Sequence, residues 1–130
     1  MRIGGKPFPG KGAFYPPTVL DNISLDMKVV REEVFGPVAP IYVVHSEAEA
    51  IKVANDSDFG LGSSLWTADI EKARGVAREL HCGMVFVNAL TKSDPRMPFG
   101  GVKQSGVGRE LSRYGLMEFV NVKSVNIYKH

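Results

Sequence analysis

Cys82 is the only cysteine of the 130-residue sequence and its candidate nucleophile, and it stands beside His81. A catalytic thiol needs a base such as an imidazole within hydrogen-bond reach. Adjacent residues that enter a strand point to opposite faces, so these two side chains form no dyad without a bend. We therefore predict a small, buried, structural thiol and no catalytic residue. His45 and His130 have no partner at metal-ligand spacing, so we predict no metal site.

Two carboxylates precede a glycine–proline turn in the segment Glu32-Glu33-Val34-Phe35-Gly36-Pro37. A carboxylate in this position can accept hydrogen bonds from ribose hydroxyls while the aromatic ring packs on a flat heterocycle. The same residues also describe an exposed acidic pair beside a core phenylalanine, and the spacing alone favours that second interpretation. Both interpretations stay open at the level of the residues.

Two glycine-rich segments have the composition of phosphate-binding loops, but neither has the full pattern. After Gly5-x-x-x-x-Gly10-Lys11, Gly12 stands where a Ser or Thr must bind magnesium, and Pro7 and Pro9 remove backbone donors. The segment from Phe99 to Gly108 precedes a predicted helix, whose first amides can hold an anion. It lacks the third glycine of a dinucleotide-binding turn and follows a long loop, so close backbone packing explains its glycines better.

These residues must be positioned by strands and helices that alternate in the middle of the sequence. The apolar run from Val38 to Val44 predicts a strand buried on both faces, with Pro40 keeping its first residues outside the ladder. Ser46 and Glu49 predict a capping box at the start of a helix that ends at the breaker stretch beginning with Asn55.

A second strand, a second helix and a third strand follow at similar spacing. We predict a strand from Leu61 to Thr67, a helix capped by Asp69 and ending near His81, and a strand from Gly83 to Asn88. The order βαβαβ, with short connections, favours right-handed crossovers onto a parallel sheet. The predicted fold class is therefore α/β.

The rest of the chain divides around this unit. We predict one domain in four segments: a loop lead-in over 1–37 with a short strand from Thr18 to Leu20, the βαβαβ unit over 38–88, a functional loop over 89–108, and a helix and strand over 109–130. The last helix is predicted from Arg109 to Phe119 and the last strand from Val122 to Tyr128. Such a strand either recruits another chain or forms an internal edge of the same sheet.

Composition limits the function further. The sequence is 44% hydrophobic and 23% charged with a net charge of +2, and its basic residues are interspersed, which argues against nucleic-acid binding. It has no run of about 18 apolar residues and no signal-peptide core, so we expect no membrane association. One cysteine fits a reducing compartment, and we expect a soluble cytoplasmic protein. A dinucleotide fold with a substrate domain needs about twice this length.

Four blocks, in order and at the right spacing, resemble the C-terminal part of NAD(P)-dependent aldehyde dehydrogenases over practically the whole chain. The blocks are Glu32-Glu33-Val34-Phe35-Gly36-Pro37, Ala54-Asn55-Asp56-Ser57-Asp58-Phe59-Gly60-Leu61, Gly83-Met84-Val85-Phe86-Val87-Asn88 and the stretch from Pro98 to Glu110. Ser93-Asp94-Pro95-Arg96 ahead of Pro98-Phe99-Gly100-Gly101 is most similar to the succinate-semialdehyde dehydrogenase branch.

The resemblance implies roles for individual residues. It implies that Glu33 holds the ribose on the nicotinamide side of NAD or NADP and that Phe35 lies near the nicotinamide. The implied residues of the aldehyde pocket are Ser93, Asp94, Arg96 and Phe99. The resemblance also implies that the last strand pairs across a subunit interface, as in a homo-oligomer.

The resemblance further implies which parts of the reaction lie elsewhere. The nucleophilic cysteine, the general-base glutamate, the oxyanion-stabilising asparagine and the Rossmann domain of the family all precede the matched region, and Cys82 lies outside the nucleophile motif. We therefore expect a C-terminal fragment that is inactive alone, binds no cofactor tightly, and partners with another copy or with the upstream portion. The alternative is a free-standing interaction module derived from the family.

Overall fold

Six short strands and four short helices form along residues 3–129, the part of the chain that this computed structural model describes. In chain order they are β1 (Thr18–Leu20), α1 (Lys28–Arg31), β2 (Val38–Pro40), α2 (Glu47–Asn55), β3 (Phe59–Gly60), β4 (Gly62–Leu65), α3 (Ile70–Glu79), β5 (Met84–Val87), β6 (Val102–Lys103) and α4 (Ser112–Met117). The chain divides into two units, the first ending at Ala50 and the second beginning at Ile51.

The first unit contains a two-stranded parallel sheet. β1 and β2 pair from Thr18 opposite Val38 to Leu20 opposite Pro40, which confirms the strand predicted at Thr18. The buried hydroxyl of Thr18 accepts a hydrogen bond from the Gly5 amide at 2.9 Å. Because the Gly5 amide already donates to Thr18, the first glycine-rich segment forms a structural turn, as predicted.

The strand predicted from Val38 to Val44 is wrong in its second half. β2 ends at Pro40, which pairs in the ladder as its last residue, contrary to our expectation that it would stand outside. Among the described residues no strand pairs with 41–44, and Ile41 and Val43 are exposed. A strand depends on a partner for its hydrogen bonds, so an apolar β-branched run without one does not become a ladder.

α2 begins as predicted. The Glu49 amide donates to Ser46 Oγ at 3.1 Å, and the Glu49 carboxylate accepts from the His45 amide at 2.8 Å. Two amides at the helix start are therefore satisfied by side chains. This is a capping box in which the glutamate accepts from the amide of His45, one residue before the cap residue Ser46. The helix runs to Asn55, where it was predicted to end.

The second unit is built on a βαβ element. β4 and β5 pair in parallel from Gly62 opposite Met84 to Leu65 opposite Val87, and α3 connects them and packs on β5. Asp69 caps α3 by accepting the Lys72 amide at 2.9 Å. These observations confirm the second half of the predicted βαβαβ unit and its α/β character, although the helix ends at Glu79, before His81.

The predicted single sheet is replaced by three two-stranded sheets in the described residues. β2 pairs with β1, and a two-residue strand, β3, pairs antiparallel with β6 inside the predicted functional loop. The β3–β6 pairing joins segments about 40 residues apart through glycine-rich backbone, and such a contact leaves no periodic pattern in the sequence.

The glycines of this second unit allow backbones to approach closely. A methyl group on Gly83 would overlap the Gly100 carbonyl oxygen, and one on Gly101 would lie 2.6 Å from Ser105 Cβ. The Gly83 amide donates to the Gly60 carbonyl at 3.0 Å. Close packing, the interpretation preferred for the second glycine-rich segment, is confirmed.

The last two predicted elements need correction. α4 starts at Ser112 and not at Arg109, because Leu111, the residue before it, has φ of 62° and ψ of 171°, outside the right-handed helical region. The strand predicted from Val122 to Tyr128 is absent, since no described residue pairs with it, and Val122, Val125, Ile127 and Tyr128 are exposed.

Much apolar surface stays uncovered in the described residues. The buried hydrophobic side chains are Ala73, at 1% exposure, and Val76, at 8%, both on α3. The chain exposes 10577 Å², whereas two separately folded compact bodies of roughly 50 and 80 residues would expose ~8,100 Å² together. None of the described helices has the length and apolar character needed to cross a bilayer.

Candidate functional site

The segment from Glu32 to Pro37, which we call the carboxylate–aromatic segment, directly follows α1 in the first unit. Two tight backbone hydrogen bonds shape it, from the Gly36 amide to the Val34 carbonyl at 3.0 Å and from the Val38 amide to the Gly36 carbonyl at 2.8 Å. Phe35 is 93% exposed. The structure therefore contradicts the core phenylalanine of the interpretation that the spacing alone favoured, whereas the acidic pair is exposed as that interpretation expected.

The two acids of this segment differ in their surroundings. The Glu32 carboxylate lies 4.0 Å from the Lys28 ammonium one helical turn earlier. Glu33 is exposed and comes two residues before the exposed Phe35 ring. A ligand with hydroxyls and a flat ring would therefore find an accessible carboxylate and an accessible aromatic face on one short segment.

A compact turn in the second unit carries two of the predicted pocket residues, Asp94 and Arg96. The Met97 amide donates to the Asp94 carbonyl at 2.9 Å across a four-residue turn with Pro95 in its second position, where proline's fixed φ is favourable. The Ser112 amide donates to the Pro95 carbonyl at 3.0 Å. The turn is thus attached to the start of α4.

Asp94 and Arg96 lock this turn with charge. Asp94 Oδ1 accepts from the Arg96 amide and from Arg96 Nε, each at 2.9 Å, and Oδ2 accepts from Nη2 at 2.6 Å. Two parallel bonds between a guanidinium and a carboxylate fix orientation as well as charge. These hydrogen bonds hold the pKa of Asp94 well below its usual range, and the same pair raises the pKa of Arg96.

Acid titration of Asp94 should expose this interaction directly. Because the folded-state pKa is depressed, its contribution to stability is present above an unfolded value of ~3.9 and is lost as the pH falls through the folded value. We expect the ¹³Cγ resonance of Asp94 to titrate with a midpoint below the ordinary aspartate range. In Arg96→Met, which removes the donors, the midpoint should return towards it; equal midpoints in the two proteins would contradict the lock.

Asp94 and Phe99 share a cleft of ≈ 330 Å³. The cleft is lined by Gly83, Met84, Val85, Phe86, Lys92, Asp94, Met97, Pro98 and Phe99. Ser93 and Arg96 are exposed and are not among its lining residues. The structure thus places two of the four predicted pocket residues on the cleft, and Arg96 binds one of them, Asp94.

Sequence reasoning missed the contribution of β5 and of Lys92 to this cleft. Met84 and Phe86 are two residues apart on a strand, a spacing that places both side chains on one face. With Asp94 already paired to Arg96, Lys92 adds positive charge to an otherwise mainly apolar wall. The four residues of β5 are all apolar, so the sequence gives no signal for which of them meet the loop.

Phe99 is held at the base of a closed loop. Its amide and carbonyl exchange two hydrogen bonds of 2.8 Å with Glu110. Inside the loop, Arg109 Nη1 donates to the carbonyls of Gly101 at 2.8 Å and Gly108 at 2.6 Å. The residues between 99 and 110 therefore form a braced loop, in which Arg109 serves as an internal tie.

Cys82 is half-buried and not fully buried as predicted. Its Sγ lies 3.1 Å from Ser63 Oγ and donates to the Met84 carbonyl at 3.1 Å. Both contacts lie within the fold, which agrees with a structural role for this thiol. Among residues 3–129 no three His, Cys, Asp or Glu side chains are grouped so that they could hold a metal ion.

Comparison with known proteins decides what these residues belong to. The sequence pattern of the aldehyde dehydrogenase family matches residues 1–125. The chain belongs to the aldehyde dehydrogenase family. The resemblance seen in the four sequence blocks is thereby confirmed.

Similar members of the aldehyde dehydrogenase family come from bacteria. The chain is 54% identical over 125 residues to an aldehyde dehydrogenase of Paenarthrobacter nicotinovorans and 50% identical over 125 residues to a succinate-semialdehyde dehydrogenase [NADP(+)] of Mycobacterium ulcerans. Each match covers 96% of this chain and 27% of the relative. The predicted likeness to the succinate-semialdehyde dehydrogenase branch is confirmed.

A solved structure shares the fold. The succinic semialdehyde dehydrogenase of Streptococcus pyogenes, solved in complex with NADP+, superposes with a TM-score of 0.93 at 43% identity. The match covers 98% of this chain and 28% of that one. The chain thus spans about a quarter of the length of the relatives it matches and has the fold of that quarter.

Proposed function

We propose that this chain supplies one quarter of an NAD(P)-dependent aldehyde dehydrogenase that oxidises an aldehyde such as succinate semialdehyde to a carboxylic acid. The observation that carries the proposal is its likeness, over nearly its whole length, to succinate-semialdehyde dehydrogenases in sequence and in fold. The reacting thiol and the phosphate-binding part of the cofactor site then come from the remaining three quarters, and the chain alone is inactive.

The residues of the carboxylate–aromatic segment fit a nicotinamide cofactor. The accessible Glu33 carboxylate would accept hydrogen bonds from ribose hydroxyls, and the accessible Phe35 ring would pack near the nicotinamide. The cofactor, when bound, accepts a hydride from the substrate. One ribose contact supplies little binding energy, so the isolated chain should bind NAD or NADP no more tightly than about millimolar.

The turn and the cleft would form one wall of the aldehyde site. Phe99 and β5 offer apolar surface, and the Asp94–Arg96 pair holds the turn that directly follows Ser93. Lys92 supplies a positive charge on this wall, which suits an aldehyde that carries a distal carboxylate. The exposed apolar residues of the 120–129 segment support contact with another copy of this chain or with the remaining three quarters of the enzyme. The single cysteine supports a cytoplasmic location.

A chimera tests the proposal. Residues 1–125 replace the matching quarter of the Mycobacterium ulcerans relative, and NADP+ reduction is measured with succinate semialdehyde. We expect turnover by the chimera and none by the isolated chain. A soluble chimera that binds NADP+ but oxidises no aldehyde would contradict the proposal.

The neighbouring acids provide a matched control in the same chimera. Glu33→Gln should raise the KM for NADP+ about tenfold, the size of a lost hydrogen bond to a charged group. Glu32→Gln, which removes the partner of Lys28, should leave that KM within about twofold because a surface ion pair contributes little. Equal effects of the two substitutions would remove Glu33 from the cofactor site.

A free-standing interaction module is the second candidate function. The exposure of Val122, Val125, Ile127 and Tyr128, between 72% and 85%, favours it, because exposed apolar side chains in a row commonly mark a contact surface. Light scattering distinguishes the candidates: a monodisperse monomer contradicts the module, whereas a dimer insensitive to salt supports it.

A further inference from the structure

Lys103 has a backbone conformation that side chains rarely adopt. Its φ is 56°, in the left-handed region, although it is not a glycine and lies in β6. A residue keeps such a conformation only where the surrounding contacts determine it, and such positions cluster at functional sites. The contacts of the Lys103 side chain show what determines it here.

The ammonium of Lys103 binds the chain at the end of α2 and two residues beyond it. Nζ donates to the Asn55 carbonyl at 2.9 Å and to the Ser57 carbonyl at 2.7 Å. Carbonyls at the end of a helix have no partner within the helix and lie at the negative end of its dipole. An ammonium, with three donors and a full charge, satisfies both needs at once.

Further bonds connect the same two segments. The Gln104 amide donates to the Asp58 carbonyl at 2.9 Å, and the Gly60 amide donates to Ser105 Oγ at 2.9 Å. β3 and β6 pair between these contacts. Residues 102–105 are therefore fixed to residues 55–60, with Lys103 as the only charged group among these bonds.

This attachment bears on the cleft through the braced loop. Residues 102–105 form the middle of the loop whose ends are joined by the Phe99–Glu110 pair. Phe99 lines the cleft, and the Gly100 carbonyl lies against Gly83 at the start of β5. Fixing the middle of the loop to the end of α2 thus fixes the side of the cleft that Phe99 forms.

We propose that Lys103 is a positioning residue for the aldehyde cleft: by binding the carbonyls of Asn55 and Ser57, its ammonium holds the 99–110 loop and sets the position of Phe99. The link from the loop to the aldehyde rests on the proposed function. The link from Lys103 to the order of the loop does not, and it is measured in the 130-residue chain itself.

Hydrogen exchange of the full chain tests the first link. Lys103→Met removes the ammonium and keeps the side-chain length; we expect the Phe99 and Glu110 amides to exchange about tenfold faster, since hydrogen bonds to charged groups are lost. The Ala73 and Leu80 amides of α3 should stay within about twofold. Lys103→Arg, which keeps the charge, should restore most of the protection. Unchanged loop exchange, or equal acceleration in α3, overturns the proposal.

Lys103→Gly keeps the test valid if Lys103→Met does not fold. Glycine adopts positive φ without a steric cost, so this variant removes the ammonium and the backbone strain together. We expect it to fold, because the relieved strain offsets part of the lost hydrogen bonding, and still to show fast exchange at Phe99. Full protection in this variant would mean that the ammonium does not hold the loop.

Kinetics in the chimera test the second link. Lys103→Met should raise the KM for succinate semialdehyde about tenfold while kcat and the KM for NADP+ stay within about twofold, because a displaced Phe99 alters one wall of one site. A purely structural lysine would instead lower kcat with the amount of folded enzyme and leave the aldehyde KM unchanged. That second pattern overturns the positioning role, and inactivity of the parent chimera counts against the proposed function only.

Discussion

Gly83→Ala should lower the free energy of unfolding by about 3 kcal/mol or more, because the added methyl group has no space. It would overlap the Gly100 carbonyl oxygen and lie 2.9 Å from the Gly101 Cα. Both neighbours are backbone atoms, so no side-chain rotation can make room. Urea unfolding of the chain, followed by far-ultraviolet circular dichroism, measures the loss, which is a large part of the 5–15 kcal/mol typical of a domain.

Gly75→Ala is the matched control for this substitution. Gly75 lies inside α3, and a methyl group added there would have no atom within 4 Å apart from its chain neighbours and the backbone of its own helix. Alanine is preferred over glycine in a helix interior by about 1 kcal/mol, so this variant should be more stable than the natural chain. If both alanine variants shifted stability in the same direction, close packing at Gly83 would be contradicted.

The elements that sequence reasoning predicted well are those with local causes. Ser46 with Glu49, and Asp69 with the amide three residues on, mark helix starts because the capping bonds span only a few residues. The parallel pairing of β4 with β5 followed from a single helix between two predicted strands, a connection that favours a parallel crossover. In these cases the information and the contact lie in the same short stretch of chain.

The predictions that failed concern contacts between segments that lie far apart in the sequence. Val43 and Val125 have strand-forming side chains, but pairing needs a second strand, and none in residues 3–129 takes that place. The left-handed Leu111 delays α4 because Glu110 pairs with Phe99, a contact over eleven positions. The type of a side chain alone does not show which distant segment will pair with it.

The candidate site shows the same division. Glu33 and Phe35 could be singled out from one short segment, although only the structure shows that the ring is exposed. Lys92 joins the cleft because the loop folds against β5, and Lys103 has its role because β6 reaches the end of α2. Residue spacing identifies functional groups that lie within one turn of each other. Groups that come together only when distant segments pack can be identified only from the folded structure.

Asn55→Ala should destabilise the second unit by about 2 kcal/mol, since two bonds between α2 and the end of α3 are lost. Asn55 Nδ2 donates to the Glu79 carbonyl at 2.8 Å, and Oδ1 accepts from the His81 amide at 2.7 Å. The amide side chain thus satisfies a carbonyl at the helix end and the amide that leads into β5. Thermal unfolding followed by circular dichroism would report the loss.

Asn55→Asp separates the two bonds by means of pH. An aspartate keeps the acceptor for His81 but faces the Glu79 carbonyl with a negative charge at the negative end of α3, so it should be less stable than Asn55→Ala at pH 7. Repulsion raises the folded-state pKa of this carboxyl, so its favourable contribution is present below ~3.9, the unfolded value, and is lost as the pH rises through the folded value. Relative to the natural chain, Asn55→Asp should therefore gain stability between pH 7 and pH 3.5 as the protonated oxygen donates to Glu79, whereas Asn55→Ala should not. A constant difference between the two variants across this range would show that the carbonyl of Glu79 does not depend on a donor from residue 55.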